Sequence, residues 1–195
     1  MNYKDFLLII SPPDTVNYQV ARFKKACAKH IGTFDAQHSK AHISFGLYGE
    51  EIQTPRQKTF VMERFIDLVA EDINIMEPVE LTINGFNVFS HGKKSKTIYA
   101  VIEVTEKTTA WFNKIKEILR IEGNITPHIT VGKSLSIDNF NKLWPHFENL
   151  EFKHVFTPEC ITVLTREVGE NPGYYSLYKE ISFARRETNS VVEPS

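Results

Sequence analysis

Apolar residues fall along this chain in runs of two kinds, continuous and periodic. Phe6 to Ile10 is continuous and stops at Ser11-Pro12-Pro13, which predicts a buried strand. Asp14 or Thr15 is then placed to cap a helix, with Val16, Val20, Phe23, Cys27 and Ile31 at helical spacing and Gly32 at its end. Lys40 to Tyr48 alternates, which predicts a strand with Ala41, Ile43, Phe45 and Leu47 on one face. After a loop around Pro55, Val61, Phe65, Leu68 and Val69 mark the apolar side of a second helix. Val79 to Phe89 reads as a strand bent near Gly85.

The second half repeats this order. Lys96 to Val104 is a strand, and Trp111, Phe112, Ile115, Ile118 and Leu119 line one side of a helix. The strand Ile125 to Lys133 follows, then a helix from about Asp138 carrying Phe140, Leu143, Trp144 and Phe147. Glu151 to Leu164, broken at Pro158, and Tyr174 to Phe183 are the closing strands. Strand-helix-strand-helix-strand thus occurs twice, a sign of internal duplication. Arg185 to Ser195 has no periodicity and is expected to be a disordered tail.

A histidine sits in the middle strand of each repeat. The first motif is Ala41-His42-Ile43-Ser44-Phe45, the second Pro127-His128-Ile129-Thr130-Val131. Residues two apart in a strand share a face, so His42 points with Ser44 and His128 with Thr130. On the same faces the alternation puts Lys40, Gly46 and Tyr48 in one strand, and Thr126 and Gly132 in the other. Glycine there is expected to leave room for a ligand. With 7 histidines and 26 serines or threonines, the bare tripeptide is expected about once by chance. Its double occurrence, in apolar surroundings and at matching places of a repeat, removes that explanation.

Imidazole ionises near pH 6.5, so each histidine can act as base or acid close to neutrality. Displacement at phosphorus needs a base on the attacking oxygen and an acid on the leaving oxygen. Hydroxyls at Ser44 and Thr130 can donate to the non-bridging phosphate oxygens. The motif strands hold no further His, Asp or Glu of the kind a metal site uses, so neither metal nor cofactor is expected.

The remaining sequence narrows the setting. A formal net charge of −1 gives no global field toward nucleic acid or an acidic membrane, so any polyanion must meet a local patch. The basic run in His91-Gly92-Lys93-Lys94-Ser95-Lys96 reads first as a hairpin loop and second as a phosphate contact. The apolar runs are too short to span a bilayer, and Met1-Asn2-Tyr3-Lys4-Asp5 lacks a signal peptide's apolar stretch. The two cysteines, Cys27 and Cys160, are far apart and outside metal-ligand spacing. A cytoplasmic monomer with reduced thiols and no membrane partner is the expectation.

The paired motifs resemble those of the two-histidine phosphoesterase superfamily, and within it the bacterial 2′-5′ RNA ligase-like proteins. The resemblance runs from the strand ending at Pro12-Pro13 to the strand ending near Phe183. It implies an α+β, pseudo-symmetric bilobal fold, with two antiparallel sheets lining a central cleft and helices outside. Residues 1–184 would then be a single domain, with lobes of roughly 1–90 and 91–184 and strands open to exchange between them. It makes His42 and His128 the catalytic positions and Ser44 and Thr130 the phosphate-binding ones, serine preserving the hydroxyl where threonine is common. Lys40 and Tyr48 are further substrate-binding candidates, and Arg166, Tyr174 and Tyr175 could hold phosphate or stack a base. The implied function is a metal-independent phosphodiesterase for 2′,3′-cyclic phosphates of nucleotides or RNA ends, or for 2′-5′ linkages. The alternative is a non-catalytic nucleotide or RNA-binding module of the same fold. Which histidine is base and which is acid stays open.

Overall fold

The structure, a computed structural model, describes residues 2–52, 60–169 and 173–184. In chain order the elements are β1 (Asn2–Ile10), α1 (Asp14–Ile31), β2 (Ile43–Ile52), α2 (Phe60–Asn74), β3 (Leu81–His91) and β4 (Ser95–Ile102). They continue with α3 (Glu106–Ile118), β5 (His128–Ser136), α4 (Ile137–Leu143), β6 (Lys153–Phe156), β7 (Cys160–Val168) and β8 (Ser176–Ser182). The loop around Pro55 and the stretch 185–195 lie outside the described residues. Among the described residues no helix is long and apolar enough to cross a membrane.

The strands make two antiparallel four-stranded sheets, ordered β2-β1-β7-β8 and β5-β4-β3-β6. Each repeat sends its closing strand into the other sheet: β3 pairs with β4, and β7 pairs with β1. The sheets therefore do not divide the chain at residue 90. The segment 151–164, expected as one broken strand, is two strands in different sheets, because Thr157-Pro158 ends β6 beside β3 before β7 starts beside β1.

One apolar cluster lies under both sheets. It holds Phe6, Leu8 and Ile10 of β1, Ile43 of β2, Ile83 of β3, Ala100 and Ile102 of β4, and Ile129 of β5, with the apolar faces of α1, α2 and α3. A second, smaller cluster joins Cys27 to Val131, Leu135, Phe140, Leu143 and Phe147 between α1, β5 and α4. The α2 face is rotated from the expected one. Val61 and Leu68 are exposed, while Met62, Ile66, Val69, Ala70 and Ile73 are buried. Two apolar stripes adjoin on this helix, and the one that runs its whole length reaches the core. Gly32 closes α1 with a positive φ of 75°, as expected, but Asp14 is the first helical residue and Pro13 occupies the cap.

Candidate functional site

Each motif strand is fixed by its middle residue. Ile43 and Ile129 are both fully buried in the same core, which turns His42, Ser44, His128 and Thr130 to the opposite side of their strands. The edge strands β2 and β5 pack against one another although they lie in different sheets, and the two motifs come close enough for the charge of His128 to act on His42.

Both strands bulge at the same place. In β2, Ser44 lies opposite Ile9 and Gly46 opposite Leu8, so Phe45 has no partner. In β5, Thr130 lies opposite Tyr99 and Gly132 opposite Ile98, so Val131 has none. An extra residue reverses the alternation beyond it. Tyr48 is thereby carried to the core side, opposite Phe6, where its ring packs on Phe65 and its hydroxyl donates to the Leu119 carbonyl at 2.7 Å. The expectation that Tyr48 shares a face with His42 is thus overturned, and Leu47, 58% exposed, stands on that side instead. The motif glycines make room for the protein's own side chains. A Cβ on Gly46 would meet the Tyr48 ring at 3.2 Å, and one on Gly132 would meet Leu135 Cδ1 at 2.9 Å.

The two imidazoles are held alike. His42 Nδ1 donates to the Lys40 carbonyl at 2.9 Å, and His128 Nδ1 donates to the Thr126 carbonyl at 2.7 Å. A carbonyl oxygen can only accept, so Nδ1 carries the proton in each neutral ring and Nε2 is the basic nitrogen. Among the described residues neither Nε2, nor the hydroxyl of Ser44 or Thr130, makes a hydrogen bond. Burial holds His42 below the usual imidazole pKa, the Lys40 carbonyl pulls it back up, and the charges of Lys24, His128 and Lys133 lower it further. Burial lowers His128 too, with the Thr126 carbonyl opposing. The charge of one histidine is felt by the other.

Several neighbours are not marked by the sequence pattern. Tyr99 lies opposite Thr130, and its ring stacks on Phe89 at 4.1 Å. The His128 ring meets both edge-on, at 4.9 Å from Phe89 and 5.2 Å from Tyr99. Buried Lys24 of α1 donates to the segment just before His42. Strand alternation and helical spacing do not single out Tyr99, Phe89 or Lys24, so only the fold reveals them. Lys40 precedes β2 rather than belonging to it; its carbonyl holds His42, and it borders a groove of about 600 Å³ against α1 with Asp14, Lys25 and His38. Arg166 is paired with Asp5 at 2.9 Å and lies over the Tyr175 ring, while Tyr174 is fully exposed. Lys93 and Lys94 sit in the β3–β4 hairpin turn. Among the described residues no three His, Cys, Asp or Glu side chains gather as a metal site.

The sequence profile of the 2′-5′ RNA ligase superfamily matches residues 12–170, which span both motifs. The chain belongs to that superfamily. Membership makes it an enzyme of phosphodiester-acting type. Solved structures share its fold at low sequence identity. TT0787 of Thermus thermophilus superposes with a TM-score of 0.66 at 14% identity, covering 92% of this chain and 97% of that one. LigT of E. coli in its apo form gives 0.64 at 14% identity, covering 95% and 100%. LigT complexed with 3′-AMP gives 0.63 at 12% identity, covering 94% and 99%. No curated protein matches in sequence.

Proposed function

We propose that this chain opens 2′,3′-cyclic phosphates, on nucleotides or on RNA ends, with His42 and His128 as general base and general acid and without a metal. The observation that carries the reading is the matched fixing of the rings, each with Nδ1 tied to the carbonyl two residues before it and Nε2 left for proton exchange. One Nε2 removes a proton from water as the water oxygen bonds to phosphorus. The bond from phosphorus to one ribose oxygen breaks, and that oxygen takes a proton from the other ring's Nε2. The product is a phosphomonoester, and one proton passed between the rings and solvent resets the pair. The Ser44 and Thr130 hydroxyls donate to the non-bridging oxygens, where negative charge grows. Lys133, whose charge reaches His42, adds positive potential beside the phosphate.

LigT structures hold 3′-AMP and ATP, which supports a nucleotide as the ligand class here. Nucleotide binding by itself, without the family, would also suit a second reading, a module that binds nucleotides without turning them over. Turnover of 2′,3′-cyclic nucleotides and of oligonucleotides ending in a cyclic phosphate decides between them. Hydrolysis by wild type, lost in His42→Ala and in His128→Ala, is the expected result. Binding without turnover would select the module.

A further inference from the structure

Lys24 is 2% exposed on α1, and among the described residues its ammonium meets no carboxylate. Nζ instead donates to the Ala36 carbonyl at 2.9 Å, the Ser39 carbonyl at 2.8 Å and the Ser39 hydroxyl oxygen at 2.9 Å. All three donors are therefore spent on one short segment. That segment includes Ala36 at a positive φ of 68°, a conformation a non-glycine residue holds only when its surroundings enforce it. The Ser39 hydroxyl proton is already committed to the Ala36 carbonyl at 2.9 Å. The next residue, Lys40, supplies the carbonyl that orients His42.

We propose that Lys24 is a positioning residue for His42: as the ammonium ion it clamps the segment 36–40, and through it the carbonyl that fixes the His42 ring. This inference rests on the catalytic reading of His42 given above. A neutral amine has two N–H donors and a lone pair, so it leaves one of the three oxygens unpaired and facing that lone pair. The Ser39 hydroxyl must then turn from the Ala36 carbonyl to that lone pair, and three charge-assisted bonds become ordinary ones, so the clamp loosens when the charge is lost.

Burial brings Lys24 down to about 8, so that loss falls within reach of an ordinary pH series. On its own helix the titratable neighbour is Cys27, pushed up to about 11 by burial. From β5, which packs against α1, Lys133 and His128 act on His42. Lys24 favours the neutral form of His42 while charged, so His42 and Lys24 are coupled in both orientation and protonation.

The test follows the ring nitrogens of His42 by NMR in the full-length protein between pH 5 and 9.5, alongside kcat and KM for a 2′,3′-cyclic nucleotide. In wild type, once the His42 ring is neutral, its Nδ1-protonated tautomer should persist up to about pH 8 and give way to a mixture above it. His128, held by Thr126, should keep one tautomer wherever its ring is neutral and serves as the internal control. In Lys24→Met the mixture should appear at every pH at which the ring is neutral, with kcat lowered roughly tenfold to a hundredfold by misorientation. Ser39→Ala keeps the ammonium but removes one acceptor of the charged form, so its transition should move to lower pH. A His42 tautomer unchanged in folded Lys24→Met overturns the proposal. Should that variant fail to fold, an unshifted transition in Ser39→Ala overturns it. Absence of turnover would refute the proposed function while leaving the tautomer measurement decisive for Lys24.

Discussion

His42 and His128 share one carbonyl-fixed arrangement, and this makes their expected losses similar. A general acid or base typically contributes about 10² to 10⁴-fold. His42→Ala and His128→Ala should each lower turnover by that range, and the double variant should fall far short of the product, because the pair acts as a unit. Both rings are held below the ordinary imidazole value. The bell of kcat/KM against pH should therefore centre on the acidic side of about 6.5. A bound phosphate anion favours imidazolium, so the kcat bell should lie higher than the kcat/KM bell; coincident bells would show that the phosphate does not sit between the rings. Depressed folded-state values also mean that the unfolded chain takes up these protons first as pH falls. Stability should decline from about pH 6.5 downward on their account, and each alanine variant should flatten that decline in a denaturant titration. The motifs and their shared face are legible in the sequence because strand alternation is local. The place of Tyr48 is not, because one unpartnered residue, Phe45, lies between it and the motif. Tyr48→Phe should then leave turnover nearly intact and cost about 1–3 kcal/mol, by leaving the buried Leu119 carbonyl without its donor.

At the scale of elements, the matched bulges are the strongest sign of the repeat, stronger than the tripeptides. A register skip at the same offset after each hydroxyl, with glycine next in both strands, has no counterpart in composition. The skip is a property of strand pairing, and pairing partners distant in sequence are invisible to periodicity. The glycines that read as room for a ligand are room for Tyr48 and Leu135. Gly132→Ala should cost roughly 1–3 kcal/mol as the new methyl presses on Leu135, and Gly46→Ala less, its neighbour being farther away. Adding Leu135→Val should recover part of the Gly132→Ala loss, a non-additivity that a thermal-melt double-mutant cycle would read directly. The α2 face escapes the sequence for a related reason: two adjoining apolar stripes satisfy the same helical period, and only the sheet beneath selects one.

For the whole molecule, the crossing of β3 and β7 between sheets makes the two repeats interdependent. A fragment ending at residue 90 would leave β1 without β7 and β3 without β4, so it should show no cooperative unfolding transition by circular dichroism. The same holds for a chain cut after β6, which lacks half of the first sheet. Turnover, by contrast, should survive EDTA, since the proposed acid, base and donors are all side chains; loss on chelation with recovery on adding zinc or manganese would overturn the mechanism.

The pairing of β1 with β7 also sets a clock on the enzyme's birth. Residues 2–10 leave the ribosome long before the strand that flanks them, 160–168. Until then one edge of β1 is an unpaired apolar strand, open to the wrong partner in a crowded cell. His42 is therefore synthesised early but set in place late, so a nascent chain carries the first motif without an assembled site. On the proposed function, turnover should appear only once β7 has been made and docked beside β1.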